Sequence, residues 1–326
     1  MNLEECRKEF VPLIDKEIKR LIPDSHKNLY DGMNYAFDSG GKRLRSVLCL
    51  AVCKSLGGDI EKALPFAVAI EYIHNFTLIH DDIEDGDVLR RGKQTVWKKY
   101  GIAHGINIGD GMVLKAYESL LNSKLPEHKI IKLSKLFTDS VMKIIEGQSM
   151  DFNFRNSNID TKEYMEMVWR KTGVLFAAAL TGAAMIADAD HRTIISLEEY
   201  GKGIGAAFQI RDDMLNLIGK KKKYGKEIGS DIKEGKKTLI IIHCLVNCKN
   251  GEKKRILQIL SKGRENVNRN DIKFVINTVK KYGSVEFSQY QAEKLAKEAI
   301  DSLNGLNREL KGLLNELADF VYKRNF

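Results

Sequence analysis

Proline is scarce, with four in 326 residues (Pro12, Pro23, Pro65, Pro126), and no Gly/Ser/Pro-rich stretch divides the chain. That excludes a proline-rich or linker-separated architecture. Segments alternating β-branched with polar residues are few, which argues against a sheet. Five cysteines (Cys6, Cys49, Cys53, Cys244, Cys248) contain no CxxC pair. A zinc site or disulfide frame is therefore not indicated, and the two i,i+4 pairs suit packing positions on helices in a reducing cytosol. The longest mainly apolar run, Val174 to Ala187, is shorter than the roughly 20 residues a bilayer span needs. The opening MNLEECRKEF has no apolar signal core. A cytoplasmic protein without an integral membrane segment is expected.

What the chain does have is helix-forming sequence, 43% of it apolar. One large all-α domain over residues 1–326 is the expected fold class, with enough apolar residues to fill a sizeable core. The net charge of +9 raises the question of nucleic acid. Its basic residues are scattered and no aromatics interleave with them, so no nucleic-acid partner is indicated. A basic balance equally suits polyanionic substrates.

The most informative stretch is Ile70 to Val88, IEYIHNFTLIHDDIEDGDV. Helical spacing puts Asp81 and Asp85 one turn apart on one face, with Asp82 about 100° round from Asp81. The preceding Ala63 to Ile79 is apolar on most sides, as in a buried helix. Carboxylates gathered at such a helix end repel one another unless cations neutralise them. Mg²⁺ suits this, because it takes one or two protein carboxylates and fills its remaining positions with water and phosphate oxygens. A single cluster is as readily a solvated helix end. A second copy, Gln209 to Asn216 with Asp212 and Asp213, lies in another apolar helical run. The pair suggests one metal cavity walled from both sides.

Cations accompany these motifs. Gly40-Gly41-Lys42-Arg43-Leu44-Arg45-Ser46 precedes an apolar helix, so Lys42 and Arg45 are candidate anion ligands at a helix start. His74 lies two turns before Asp81 and is read either as a core histidine or as a phosphate donor. Arg90 and Arg91 either address phosphate groups through their forked guanidinium geometry or neutralise the acidic cluster. Lys171 with Thr172 heads the uncharged run from Val174 and is a buried-cation candidate. Asp24 or Ser25 is expected to cap the second helix, and Gly109-Asp110-Gly111 to break another. Glu146-Gly147-Gln148 faces an unidentified partner. Tyr224 to Thr238, glycine-rich and polar, reads as a mobile flap carrying Lys226 and Lys236.

The ordered set GGKRLRS (40–46), HDDIED (80–85), RRG (90–92), KTG (171–173), FQIRDD (208–213) and GKEIGSD (225–231) resembles the trans-isoprenyl diphosphate synthases. The resemblance covers most of the chain. It implies a helical bundle around a deep central cavity, usually a homodimer. It also implies head-to-tail condensation of isopentenyl diphosphate with an allylic diphosphate, assisted by Mg²⁺ at three ions per site. Carried over by position, Lys42, Arg45, His74 and Arg91 would hold isopentenyl diphosphate. Asp81, Asp85 and Asp212 would bind the metal, with Asp82 part of the same catalytic acidic cluster. Arg90, Lys171, Lys226 and Lys236 would neutralise the allylic diphosphate, with Thr172 and Gln209 near the developing cation. No side-chain general base is demanded, since the departing diphosphate takes the proton.

One departure is Asn216, where many members carry Asp. Product length is expected to depend on Phe76 and Thr77, roughly 7.5 and 6 Å along the helix axis before Asp81. Aromatic Phe76 with small Thr77 resembles archaeal-type geranylgeranyl (C20) synthases, with a farnesyl (C15) product as the alternative. A class I terpene cyclase shares the metal chemistry, but its Asn/Ser/Glu pattern is missing from Asp212 to Asn216. A non-catalytic partner subunit is a further alternative.

Overall fold

The computed structural model of the protein describes residues 2–219 and 228–322. Lys226, Lys323 and Arg324 lie outside the described residues. The elements in chain order are α1 (Leu3–Leu21), α2 (Tyr30–Asp38), α3 (Leu44–Ser55), α4 (Ile60–Glu84), the strands β1 (Leu89–Arg90) and β2 (Lys93–Gln94), α5 (Val96–Tyr100), α6 (Ile102–Leu121) and α7 (Glu127–Arg155). They continue with α8 (Thr161–Val168), a π-helical turn (Trp169–Gly173), α9 (Val174–Ile186), α10 (His191–Ile218) and α11 (Ser230–Lys233). The last are α12 (Leu239–Asn247), α13 (Asn250–Leu260), α14 (Arg269–Lys281), α15 (Ser284–Ser302) and α16 (Arg308–Tyr322). The all-α class expected from the sequence is what is found.

Two compact units are formed. The first comprises Met1–Val141, Leu175–Gly201 and Ser302–Leu317. Its central helix is α4, capped at its start by the Asp59 side chain, which accepts from the Glu61 N–H. Phe66 through Ile73 are all buried, as expected of a helix apolar on most sides. α3 packs on it with Val47 through Cys53 buried, which places Cys49 and Cys53 as core residues. α6 packs closely along the same helix, and glycine permits the approach: a Cβ at Gly109 would stand 2.2 Å from the His80 ring. The expected break at Gly109–Gly111 is therefore not there. These glycines sit within a continuous α6 because they face neighbouring side chains. The cap expected from Asp24 or Ser25 is also absent. α2 starts later, after Leu29, with no side-chain cap.

The second unit comprises Met142–Val174, Lys202–Asp301 and Ala318–Phe326. Its core joins Tyr164 and Val168 of α8, Ile210, Met214 and Leu217 of α10, Leu239 to Ile242 of α12, and Val275 and Val279 of α14. α8 opens with a capping box, in which Asp160 accepts from the Glu163 N–H and Glu163 accepts from the Asp160 N–H. α14 opens the same way through Asn268 and Asp271.

Candidate active site

In the first unit the acidic motif closes α4. Asp85 is the C-cap, its N–H donating to the Asp81 carbonyl at 2.8 Å, which sets the two carboxylate-bearing residues one turn apart. Beyond the helix, β1 and β2 form a two-residue hairpin whose turn is Arg91-Gly92, with φ of 54° and 78°. Positive φ at both turn positions is the geometry that matches strand twist, and it accounts for glycine after the arginines. The hairpin turns Arg90 onto Asp82. Its Nε and Nη2 lie 2.7–2.9 Å from the Asp82 carboxylate in a two-pronged pair. Burial works against that charge, but Asp82, with Asp81 and Asp87 nearby, holds the guanidinium protonated.

The glycine-rich turn meets the hairpin. Arg91 donates to the Gly40 carbonyl. A Cβ at Gly41, whose φ is 148°, would stand only 3.1 Å from guanidinium nitrogens of Arg43 and Arg91. Arg43 has no role among the motif residues singled out above. Its backbone is left-handed, at φ 48°. Its buried guanidinium donates to Asp15 at 2.9 Å, Glu71 at 3.3 Å and the Phe37 carbonyl at 2.9 Å. Glu71 also accepts from Ser46 at 3.1 Å and Asn75 at 3.2 Å. This buried network locks the start of α3 to α4, and so sets where Lys42 and Arg45 stand. Its signals in the sequence are a charged residue between Lys42 and Arg45 and the lone carboxylate Glu71 in the apolar run Ala63 to Ile79.

Arg45 approaches His74, Nη1 to Nε2 3.5 Å, and its guanidinium lies 4.1 Å over the Phe176 ring. Burial first, then the positive charge of Arg45, Arg91, Arg90 and Arg43, drives the His74 pKa well below the ordinary imidazole value. A neutral imidazole ringed by arginines can donate one N–H to an anion without adding charge. Phe76 is buried, edge-on to His80 at 4.8 Å, and the Thr77 hydroxyl donates to the His74 carbonyl at 2.8 Å.

In the second unit the KTG motif forms the π turn, an irregularity common at functional sites. The partner of Glu146-Gly147-Gln148 is this turn. A Cβ on Gly147 would lie 2.4 Å from the Lys171 backbone nitrogen, so α7 and the π turn touch backbone to backbone. Glu146 pairs with Arg170. Lys171 is a paired, mostly buried cation, its Nζ 2.8 Å from Asp151. Burial pushes the Asp151 carboxyl up, but Lys171, with Lys236 and Arg155, holds it below the usual range.

Thr172 donates to the Gln209 side-chain carbonyl at 2.8 Å, and the Gln209 amide donates to Asp213 at 2.8 Å. Tyr164 donates its hydroxyl to the other Asp213 oxygen at 2.7 Å. Burial pushes the Asp213 carboxyl up to about 6, against the downward pull of the Tyr164 and Gln209 hydrogen bonds. Asn216, buried, donates to Ser230 Oγ at 2.7 Å and accepts from the Asp231 N–H at 3.2 Å. The Gly229 N–H donates to the Asn216 carbonyl at 2.8 Å. Of the stretch expected to be a mobile flap, Tyr224 to Glu227 lie outside the described residues, while 229–231 are fastened to α10 and lead into the short α11. Lys236 pairs with Glu234 at 2.6 Å.

Among the described residues, no three of His, Cys, Asp and Glu gather into a ready-made metal site. The donor set nevertheless fits Mg²⁺. The end of α4 carries Asp81 and Asp85 one turn apart, with Asp82 paired to Arg90, and Mg²⁺ asks for one or two carboxylates plus phosphate oxygens. It does not fit a structural ion enclosed by protein ligands.

Residues 26–279 match the polyprenyl synthetase family. The short chain isoprenyl diphosphate synthase of Methanocaldococcus jannaschii is 40% identical over 317 residues, spanning 97% of this chain and 95% of that protein. The geranylgeranyl diphosphate synthase of Sulfolobus acidocaldarius is 39% identical over 322 residues, 97% of each. The crystal structure of geranylgeranyl pyrophosphate synthetase from Pyrococcus horikoshii superposes with a TM-score of 0.91 at 37% identity, covering 99% of both chains. With ordered motifs, an all-α fold and full-length relatives in agreement, the chain belongs to the polyprenyl synthetase family.

Proposed function

We propose that this protein is a Mg²⁺-dependent short-chain prenyltransferase. It condenses isopentenyl diphosphate with an allylic diphosphate head-to-tail and stops at geranylgeranyl diphosphate. The observation that carries this reading is the arginine-ringed His74, 3.5 Å from Arg45, on the same helix as the acidic end of α4. An anion cradle adjoining a carboxylate pair is what two diphosphates and a hard cation require.

Lys42, Arg45, His74 and Arg91 hold isopentenyl diphosphate. Asp81, Asp85 and Asp212 hold the metal, at three ions per site, and Asp82 fixes Arg90 beside them. Bound Mg²⁺ supplies neutralisation of the negative charge that develops on the leaving diphosphate. Arg90, Lys171, Lys226 and Lys236 add positive charge to that same group. Thr172 and Gln209 present oxygen atoms toward the allylic carbon as its bond to oxygen breaks. Exclusion of water preserves the carbocation for attack by the C=C of isopentenyl diphosphate. Phe76 and Thr77 set the floor for the growing tail.

The relatives described above, two of them geranylgeranyl diphosphate synthases, support the C20 product. The whole chain, 1–326, acts as one catalytic domain, in the cytoplasm and as a homodimer. Exposed Ile102, Ile106, Leu114 and Leu121 along α6 are apolar surface that a second copy would cover. Among the described residues no helix is long and apolar enough to cross a membrane. Asp81→Ala and Asp212→Ala each test the metal assignment. Both are expected to abolish turnover with helicity unchanged by circular dichroism, and a near-normal rate in either would remove the assignment.

A further inference from the structure

The second unit contains a hydrogen-bond chain with one direction. Tyr164, 1% exposed, has its hydroxyl proton on Asp213. The second Asp213 oxygen faces the Gln209 side chain at 2.8 Å. A carboxylate only accepts, so the Gln209 amide nitrogen must be the atom that faces it. The Gln209 carbonyl therefore points the other way, where it accepts the Thr172 hydroxyl proton at 2.8 Å. With that proton engaged, the Thr172 oxygen has only lone pairs left to present.

We infer that Tyr164 and Asp213 are positioning residues that fix the polarity of Gln209 and Thr172, so that oxygen lone pairs and no N–H or O–H face the allylic carbon as it becomes cationic. This rests on the prenyltransferase reading above. A reversed Gln209 amide would aim its two N–H groups at Thr172. The Thr172 proton would then be directed outward, and a donor aimed at a forming carbocation opposes ionisation. Asp213 thus acts through its neighbours, in contrast to the metal role assigned to Asp212 beside it.

The test is a double-mutant cycle on the full-length enzyme with saturating Mg²⁺ and both diphosphates. Tyr164→Phe keeps the ring and removes only the hydroxyl. It is expected to lower kcat about tenfold while KM for isopentenyl diphosphate changes by less than about twofold. In a Gln209→Met background, Tyr164→Phe is expected to lower kcat no further, because the hydroxyl works only through the amide. Should Tyr164→Phe fail to fold by circular dichroism, Asp213→Asn replaces it in the same cycle. That variant is expected to lower kcat and leave the half-saturating Mg²⁺ concentration unchanged. An unchanged kcat, an equal drop in both backgrounds, or a shifted Mg²⁺ requirement would overturn the inference alone. A wild-type chain that turns over neither diphosphate would overturn the function and this inference together.

Discussion

Gly147→Ala tests whether the backbone contact between α7 and the π turn places Lys171, the lysine proposed to face the leaving diphosphate. In a helix interior, replacing glycine by alanine ordinarily stabilises by about 0.5–1 kcal/mol. Here the new Cβ would lie 2.4 Å from the Lys171 nitrogen, 2.8 Å from Arg170 Cβ and 2.9 Å from the Arg170 carbonyl carbon. Optimal heavy-atom contacts are about 3.5–4.0 Å apart, so the π turn must retreat by about 1 Å. Two of the three atoms are backbone and cannot rotate away. Overpacking of this kind costs about 1–3 kcal/mol, which offsets the gain in helix propensity and leaves a net loss of up to about 2.5 kcal/mol. A displacement of about 1 Å at a reacting group can cost on the order of 100-fold in rate. Gly312→Ala is the control. It lies in α16, and a Cβ added there would meet nothing within 4 Å, so the propensity gain should appear alone. Urea unfolding with steady-state turnover reads both effects. A Gly147→Ala protein more stable than wild type and equally active would refute the reasoning.

Phe76→Ala opens the proposed floor and should shift product beyond C20 when dephosphorylated products are sized by chromatography; unchanged length would remove Phe76 as the stop. Asn216→Ala strips Ser230 and the Asp231 N–H of their partner, and unfolding measurements should show a loss of about 1–3 kcal/mol. His74 is neutral in the folded protein and ordinary when unfolded. The unfolded state therefore binds one more proton as pH falls through about 6.5, and stability should drop there by up to about 1.4 kcal/mol per pH unit. His74→Gln should flatten that part of the pH–stability curve, and an identical slope in both proteins would contradict the assignment.

The helical class was legible because apolar periodicity is strong and strand signals are few. The motifs were legible because carboxylates, paired arginines and a glycine-rich turn are distinctive in order. What the sequence hid were contacts between residues far apart along it. Arg43 reads as one more cation beside Lys42, yet Asp15 and Glu71, reached only by folding, make it a buried anchor. Gly109 reads as a helix breaker in isolation, but the His80 ring occupies the space its side chain would need. Asp213 reads as a twin of Asp212 until Tyr164 and Gln209 are seen on its two oxygens. Asn216 reads as one negative charge fewer at the second acidic motif, whereas both ends of its amide hold Ser230 and the Asp231 N–H.

The most direct measurement is incubation of the purified chain with isopentenyl diphosphate and each allylic starter, with Mg²⁺ or with chelator, followed by dephosphorylation and product sizing. A geranylgeranyl alcohol that appears only with Mg²⁺ is the predicted result. No elongated product, or a cyclised hydrocarbon made without isopentenyl diphosphate, would contradict it.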